Sequence, residues 1–225
     1  MALLDGRYAL VTGATGGIGG AIALALAEAG AKLVLAGRDG SRLAEVAARA
    51  GGALAVAGDL TSPEDAEALA GAAEGVDILV HSAGSYARGD DPDVFEAQLG
   101  ANLVAPYRLT QLLLDGLDDL VFINSSQGLA ASPGVAQFAA TQHGLRALAD
   151  ALRGEVNSRG VRVLSVHVGR TATSRQERIF EMEGRPYTPE RLMQPEDVAQ
   201  IVLAGLILPR TAEMTSVSIR PMQKV

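Results

Sequence analysis

Short, almost wholly apolar runs alternate along this chain with longer stretches rich in Ala and Leu. Tyr8–Thr12, Lys32–Ala36, Ala53–Ala57, Asp77–Val80, Leu120–Asn124 and Val161–His167 read as strands. A strand with one wet face alternates apolar and polar residues. These runs do not, which predicts strands covered on both faces. Gly17–Ala29, Ser41–Arg49, Pro63–Glu74, Pro92–Leu117 and Gln137–Arg159 have the length and composition of helices. Pro195–Leu208 adds another, opening with Pro-Glu-Asp as a favourable first turn, and Ser216–Ile219 reads as a last short strand. Strands separated by helices predict an α/β fold, one doubly wound parallel sheet of about seven strands flanked by helices. No repeat, linker or break in composition divides residues 1–225, so a single domain is expected.

The least regular stretch is Thr171–Met193, with many charges, Gly184, Pro186 and Pro189. It follows a strand end, where open α/β sheets place their ligands. It reads either as a cover over a substrate or as an ordinary surface connection. Arg170, Arg175, Arg178 and Arg185 lie in or beside it, suiting an acidic substrate or simply a solvated surface.

Composition narrows the function classes. A net charge of −7 argues against general affinity for nucleic acid or anionic membranes, though not against a local basic pocket. The chain has no cysteine, which removes disulfides and thiol chemistry. No apolar stretch approaches the ~20 residues of a membrane span, and Asp5 and Arg7 interrupt the N-terminus before it becomes signal-like. A soluble cytoplasmic protein acting on a small molecule is the expectation. The three histidines, His81, His143 and His167, have no ligand spacing that suggests a metal site.

Chemistry enters with the loop after the first strand, Thr12-Gly13-Ala14-Thr15-Gly16-Gly17-Ile18-Gly19, which runs straight into a helix. Gly13 permits a tight turn, Gly17 or its neighbour lets backbone approach a pyrophosphate, and Gly19 lets helix and strand pack closely. Unpaired N–H groups at the helix N-terminus then hold the phosphates. Strand before and helix after are the context that makes a Gly-rich loop a dinucleotide site. At the end of the second strand, Ala36-Gly37-Arg38-Asp39 lacks a carboxylate at position 37 for a ribose 2′-hydroxyl. Arg38 suits a 2′-phosphate instead, so NADP(H) is favoured over NAD(H). The alternatives are an Arg38 paired with Asp39, or an Asp39 shifted into the ribose role.

The loop's wording, Thr-Gly-x-x-x-Gly-Ile-Gly, resembles the short-chain dehydrogenase/reductase family. Further pieces match in order: Asp59-Leu60 resembles the family's acidic position near the adenine, and Ser82-Ala83-Gly84 its Asn-Ala-Gly. Asn102 resembles its helix-distorting asparagine, and Gly169 with Thr173 its Pro-Gly-x-x-x-Thr. The resemblance spans essentially the whole chain. It implies a nicotinamide cofactor touching Gly13, Thr15, Gly17, Ile18, Gly19, Arg38, Asp59, Leu60, Ala83, Gly84, Gly169 and Thr173, and a homodimer or homotetramer.

The family's catalytic residues are a Ser, a Tyr thirteen residues later and a Lys four beyond that. That spacing selects Ser125, but then meets Phe138 and Gln142. Phe has no ionisable proton, so general acid catalysis worth ~10²–10⁴ in rate is missing there. Gln142 keeps a head group able to reach a ribose hydroxyl but no charge to tune a neighbour. Val168 and His81 also depart from the family pattern, as natural divergence would produce. His167, ending the strand before Gly169, is either a substitute donor or a hydrogen-bonded strand-end histidine, and Tyr86 and Tyr107 are further phenols without a positional argument. Three functions remain open. One is an NADP(H)-binding protein of carbonyl reductase or alcohol dehydrogenase ancestry, working without the usual Tyr/Lys pair. The others are a non-redox enzyme (cyclisation, elimination or isomerisation) on this scaffold, and a silent NADP(H) sensor or subunit.

Overall fold

A computed structural model describes residues 2–89 and 91–223. Its strands are β1 (Tyr8–Thr12), β2 (Lys32–Gly37), β3 (Leu54–Ala57), β4 (Ile78–His81), β5 (Asp119–Ser125), β6 (Arg162–Val168) and β7 (Ser216–Ile219). They form one sheet in the order β3-β2-β1-β4-β5-β6-β7, with every pairing parallel. The helices are α1 (Gly17–Glu28), α2 (Gly40–Arg49), α3 (Pro63–Ala72), α4 (Pro92–Leu99), α5 (Ala105–Leu113), α6 (Ala136–Val156), α7 (Ser174–Met182) and α8 (Pro195–Leu206).

The apolar runs are explained by two cores, one on each face of the sheet. Ala9, Val11, Leu33, Leu35, Ile78, Val80, Leu164 and Val166 pack with Ile22 and Leu26 of α1, Leu43 of α2 and Val198 and Val202 of α8. The alternate residues Leu10, Val34, Leu79, Leu120, Phe122 and Val163 face the other way, onto Leu69 of α3, Leu109 of α5 and Leu145 and Leu152 of α6. Successive strand residues point to opposite faces, so covering both demands unbroken hydrophobicity. Each such fully buried Leu or Phe contributes about 1.5–3 kcal/mol.

The rule fails at the edges. β3 and β7 are mostly not buried, and Leu54 is 48% exposed. Each has a neighbouring strand on one side only, which leaves its outer edge open to solvent. The helix expected over 92–117 is present as helical backbone but contains a π turn at Gly100–Val104. There the Ala105 N–H donates to the Gly100 carbonyl five residues back, and Pro106 has no N–H to offer Asn102. The irregular 171–193 stretch contains α7. It leaves and rejoins the body at a parallel bridge between Thr171 and Met193.

The topology sets the site. From β1 the chain runs outward through β2 and β3, then returns to place β4 against the other side of β1. The loops leaving β1 and β4 therefore diverge and open a crevice at the strands' C-terminal ends. Among the described residues, no helix is long and apolar enough to cross a membrane, and no group of three or more His, Asp or Glu could hold a metal ion.

Candidate active site at the carboxyl ends of the strands

A cleft of about 960 Å³ opens at this crevice. It is lined by Gly13, Thr15, Gly17, Ile18, Gly19, Arg38, Asp59, Leu60, Ala83, Gly84, Asn102, Ser125, Phe138, Gln142, Gly169 and Thr173. Those are the positions expected from sequence, with His167 the one that is placed elsewhere.

The floor at the dinucleotide end is built by close backbone packing. Gly13 has φ +66°, and a Cβ there would lie 2.7 Å from the Ala83 backbone. A Cβ on Gly19 would lie 2.3 Å from the Gly13 carbonyl oxygen, so Gly19 brings helix and loop together. Thr12 Oγ1 ties the two loops by accepting from the N–H groups of Ser82 and Ala83, both at 3.2 Å. No side chain caps α1, whereas Asp39, Ser62, Asp91 and Thr173 cap α2, α3, α4 and α7. The uncapped N-terminus faces the cleft between glycines, a cradle that suits a pyrophosphate.

At the outer end Arg38 and Arg42 line the cleft, and Arg42 also donates to the Thr15 carbonyl at 3.3 Å. Asp39 is occupied as the cap of α2, accepting from the Arg42 N–H at 3.1 Å, and does not line the cleft. No ion pair joins it to Arg38 among the described residues. A Cβ at position 37 would press to 3.1 Å from the Thr15 side chain. Asp59 accepts from the N–H and hydroxyl of Thr61, and these bonds, with the charge of Arg38, hold its carboxyl below the usual range.

At the chemical end, Ser125 Oγ accepts from the Gln127 N–H at 3.2 Å, which leaves its own proton free to donate. Asn124 braces this strand end by donating to the Gln142 carbonyl at 3.1 Å. Asn102, in the π turn, clamps the loop after β4. Its Oδ1 accepts from the Ser85 N–H at 2.7 Å, and its Nδ2 donates to the Ser85 carbonyl and to Thr141 Oγ1, both at 3.0 Å. Gln142 is buried on α6 and donates to the same Thr141 hydroxyl at 3.3 Å. Helix α6 thus presents Phe138 and Gln142 to the cleft, with no Tyr or Lys beside them.

The histidines do not compensate. His167 is 1% exposed, outside the cleft lining, with Nδ1 3.4 Å from the Ser125 carbonyl. Desolvation lowers its pKa, only partly offset by that carbonyl. An imidazole buried in the sheet and outside the cleft lining does not fit the substitute-donor expectation. His81 stacks on Phe122 with centroids 5.1 Å apart and pairs with Thr110 of α5 at 2.8 Å. His143 is exposed and bonds within its own helix to the Ala139 carbonyl.

Two groups of residues went unassigned in the sequence. Tyr86 meets the Phe138 ring edge-on, centroids 5.0 Å apart, and its hydroxyl accepts from Arg88 Nε at 2.6 Å. Of the tyrosines among the described residues, it alone lines the cleft. Its signal was only its place two residues beyond Gly84. At the mouth, Glu183 follows α7 and is held by Arg88, Arg170 and Arg185 at 2.8, 2.8 and 3.3 Å. Desolvation opposes ionisation there, but the bonds and charges of Arg170 and Arg88 outweigh it and keep the carboxyl below its usual range. Arg175 reaches back across the cleft to the Gly84 carbonyl.

A doubly wound sheet with an uncapped Gly-lined helix N-terminus at its switch point defines a Rossmann-type dinucleotide-binding protein. The sequence model of the short chain dehydrogenase family matches residues 7–184. An uncharacterized short-chain type dehydrogenase/reductase of Sinorhizobium fredii is 31% identical over 234 residues, covering 97% of this chain and 94% of that protein. Among solved structures, an actinorhodin polyketide ketoreductase with NADPH superposes with a TM-score of 0.87 at 26% identity, covering 97% of both chains. A 7α-hydroxysteroid dehydrogenase complexed with NADH and 7-oxo glycochenodeoxycholic acid gives 0.86 at 26% identity, covering 97% of this chain and 94% of that one. The chain belongs to the short-chain dehydrogenase/reductase family, as a divergent member with a degenerate active site.

Proposed function

We propose that the protein is an NADP(H)-dependent oxidoreductase of carbonyl and alcohol groups that works without the family's Tyr/Lys pair. The observation carrying this reading is that one cleft holds the Gly-lined loop, Arg38 and Ser125 together, with a phenol, Tyr86, against the ring that replaces the catalytic one. Solved relatives contain NADPH and NADH alike. The preference for NADP(H) rests on Arg38 and Arg42 at the outer end and on Asp39 being engaged as a helix cap.

When bound, the nicotinamide supplies or accepts a hydride. Gly13, Thr15 and the α1 N-terminus would hold the pyrophosphate, Asp59 and Leu60 would lie by the adenine, and Arg38 would pair with a 2′-phosphate. Gln142 offers an amide to a ribose hydroxyl in place of an ammonium, which removes a charge from the site. Ser125 donates its hydroxyl proton to the substrate oxygen and orients the carbonyl. Tyr86 delivers the proton that the alkoxide takes up in reduction, its hydroxyl oxygen held in place by Arg88 Nε. Residues 171–193 serve as the cover.

Nucleotide titration followed by fluorescence, then NADPH oxidation with a panel of ketones, aldehydes and oxo acids, tests this. NADPH should bind at least ~10-fold more tightly than NADH, and Arg38→Ser should erase the difference. Wild type should turn over slowly, Tyr86→Phe should abolish turnover with nucleotide affinity intact, and Phe138→Tyr/Gln142→Lys should raise turnover ~10²–10⁴-fold. Turnover confined to the double variant refutes the redox reading and leaves non-redox chemistry or a silent sensor. Failure to bind either nucleotide refutes the cofactor assignment.

A further inference from the structure

The mouth of the cleft carries more positive charge than a structural clasp requires. Glu183 is one carboxylate shared by three guanidinium groups, which leaves an excess of two positive charges in a chain of net charge −7. Arg88, Arg170 and Glu183 line the same cleft as Ser125 and Phe138. Arg170 gives Nη2 to both carboxylate oxygens, at 3.0 and 2.8 Å, while its Nη1 is buried without a hydrogen-bond partner. A guanidinium nitrogen left so is costly, and an acceptor brought to it regains that free energy.

The arginines also have contacts besides the carboxylate, Arg88 with Tyr86 in the body and Arg170 and Arg185 with Phe180 of α7. Arg170 lies over the Phe180 ring at 4.7 Å, with Arg185 beside the same ring at 5.2 Å. Arg88 lies 5.9 Å from the Tyr86 ring centroid and donates to its hydroxyl. Aromatic contact and hydrogen bonding keep planar forks in place when a partner leaves. Glu183 sits just beyond the last turn of α7, in the segment that leaves and rejoins the body at Thr171 and Met193. A modest movement of that segment carries Glu183, and Arg185 with it, away from Arg88 and Arg170, which lie outside it.

We propose that Arg88 and Arg170 form the recognition site for an anionic group, carboxylate or phosphate, of the substrate, and that Glu183 occupies this site as an internal stand-in until the substrate displaces it. The proposal rests on the oxidoreductase reading above for the identity of the cleft. It assigns the substrate class as small carbonyl or alcohol compounds bearing a negative charge. The anion anchors at the mouth and leaves the reacting carbon to Ser125.

The test uses binding rather than turnover. NADP⁺ affinity is measured first, in wild type and every variant, so loss of the nucleotide site is recognised separately. With NADP⁺ saturating, which also fills the Arg38 region, succinate and inorganic phosphate are titrated calorimetrically. Glu183→Gln should bind at least one of them tenfold or more tightly than wild type. Adding Arg170→Met should remove that gain, with NADP⁺ affinity unchanged in both. Succinate preference marks a carboxylate substrate, and phosphate preference a phosphorylated one. A change below threefold in Glu183→Gln, or anion binding that survives Arg170→Met, overturns the proposal. Should Glu183→Gln fail to fold, the thermal midpoint of wild type and Arg170→Gln is compared across succinate and phosphate concentrations. An anion-dependent rise in wild type alone supports the site, and parallel behaviour overturns it.

Discussion

His81 makes an acid-labile point in the core whose size can be worked out. It ends β4 at 3% exposure, stacked on Phe122, with Nε2 2.8 Å from Thr110 Oγ1. Desolvation pushes its pKa from 6.5 down to about 3. The unfolded chain takes up a proton there near 6.5, and the folded chain resists doing so until about 3. Between those values the unfolded state binds more protons, so stability falls as pH falls. Linkage through this one group removes roughly 2.3 kcal/mol between about pH 6.5 and pH 4.5. His81→Asn keeps a side chain that can bond Thr110 but does not titrate. Urea unfolding of both proteins at the two pH values isolates the effect, because carboxylates and His167 titrate in both and cancel. Wild type should lose about 2 kcal/mol more than the variant. Equal losses, within about 0.5 kcal/mol, refute the assignment of a neutral, desolvated imidazole.

Two further substitutions separate the binding floor from the frame beneath it. Gly19→Ala drives a Cβ to 2.3 Å from the Gly13 carbonyl oxygen, so the loop must open. NADPH affinity should fall at least about tenfold, with a stability loss of roughly 1–3 kcal/mol, read by fluorescence titration and urea unfolding. Asp119, at the start of β5 and far from the cleft, accepts from Arg162 at 2.7 Å, Arg7 at 2.9 Å and Arg210 at 3.2 Å. Asp119→Asn leaves the buried Arg162 without its counter-charge. Stability should drop by about 3 kcal/mol while NADPH affinity in the folded fraction stays unchanged.

Much of this molecule was legible from local pattern. The unbroken apolar runs of the central strands report burial on both faces, and odd and even residues of β1 and β2 do enter separate cores. Strand–glycine–helix context pointed to the loop that lines the cleft, and the resemblance's spacing to Ser125, Phe138 and Gln142, which line it too. Edge exposure of β3 was not legible, because a strand's rank in the sheet follows from topology rather than from its own residues. The π turn was hinted at only by Asn102 and Pro106.

The sequence by itself predicted most of the strands and helices, a Gly-rich turn suited to phosphates and, through the family resemblance, Phe and Gln where a Tyr and a Lys are expected. The elements follow from near-neighbour periodicity, and the replaced positions from the pattern of the family that the chain resembles. Only the tertiary structure decided which side chains surround Phe138 and the cleft mouth. It withdrew His167 into the sheet, set Tyr86 against Phe138 from 52 positions away, and joined Arg88 to Glu183 across 95 positions. Such pairs meet because separate loops converge at the carboxyl ends of neighbouring strands, and that convergence exists only once the whole sheet has assembled.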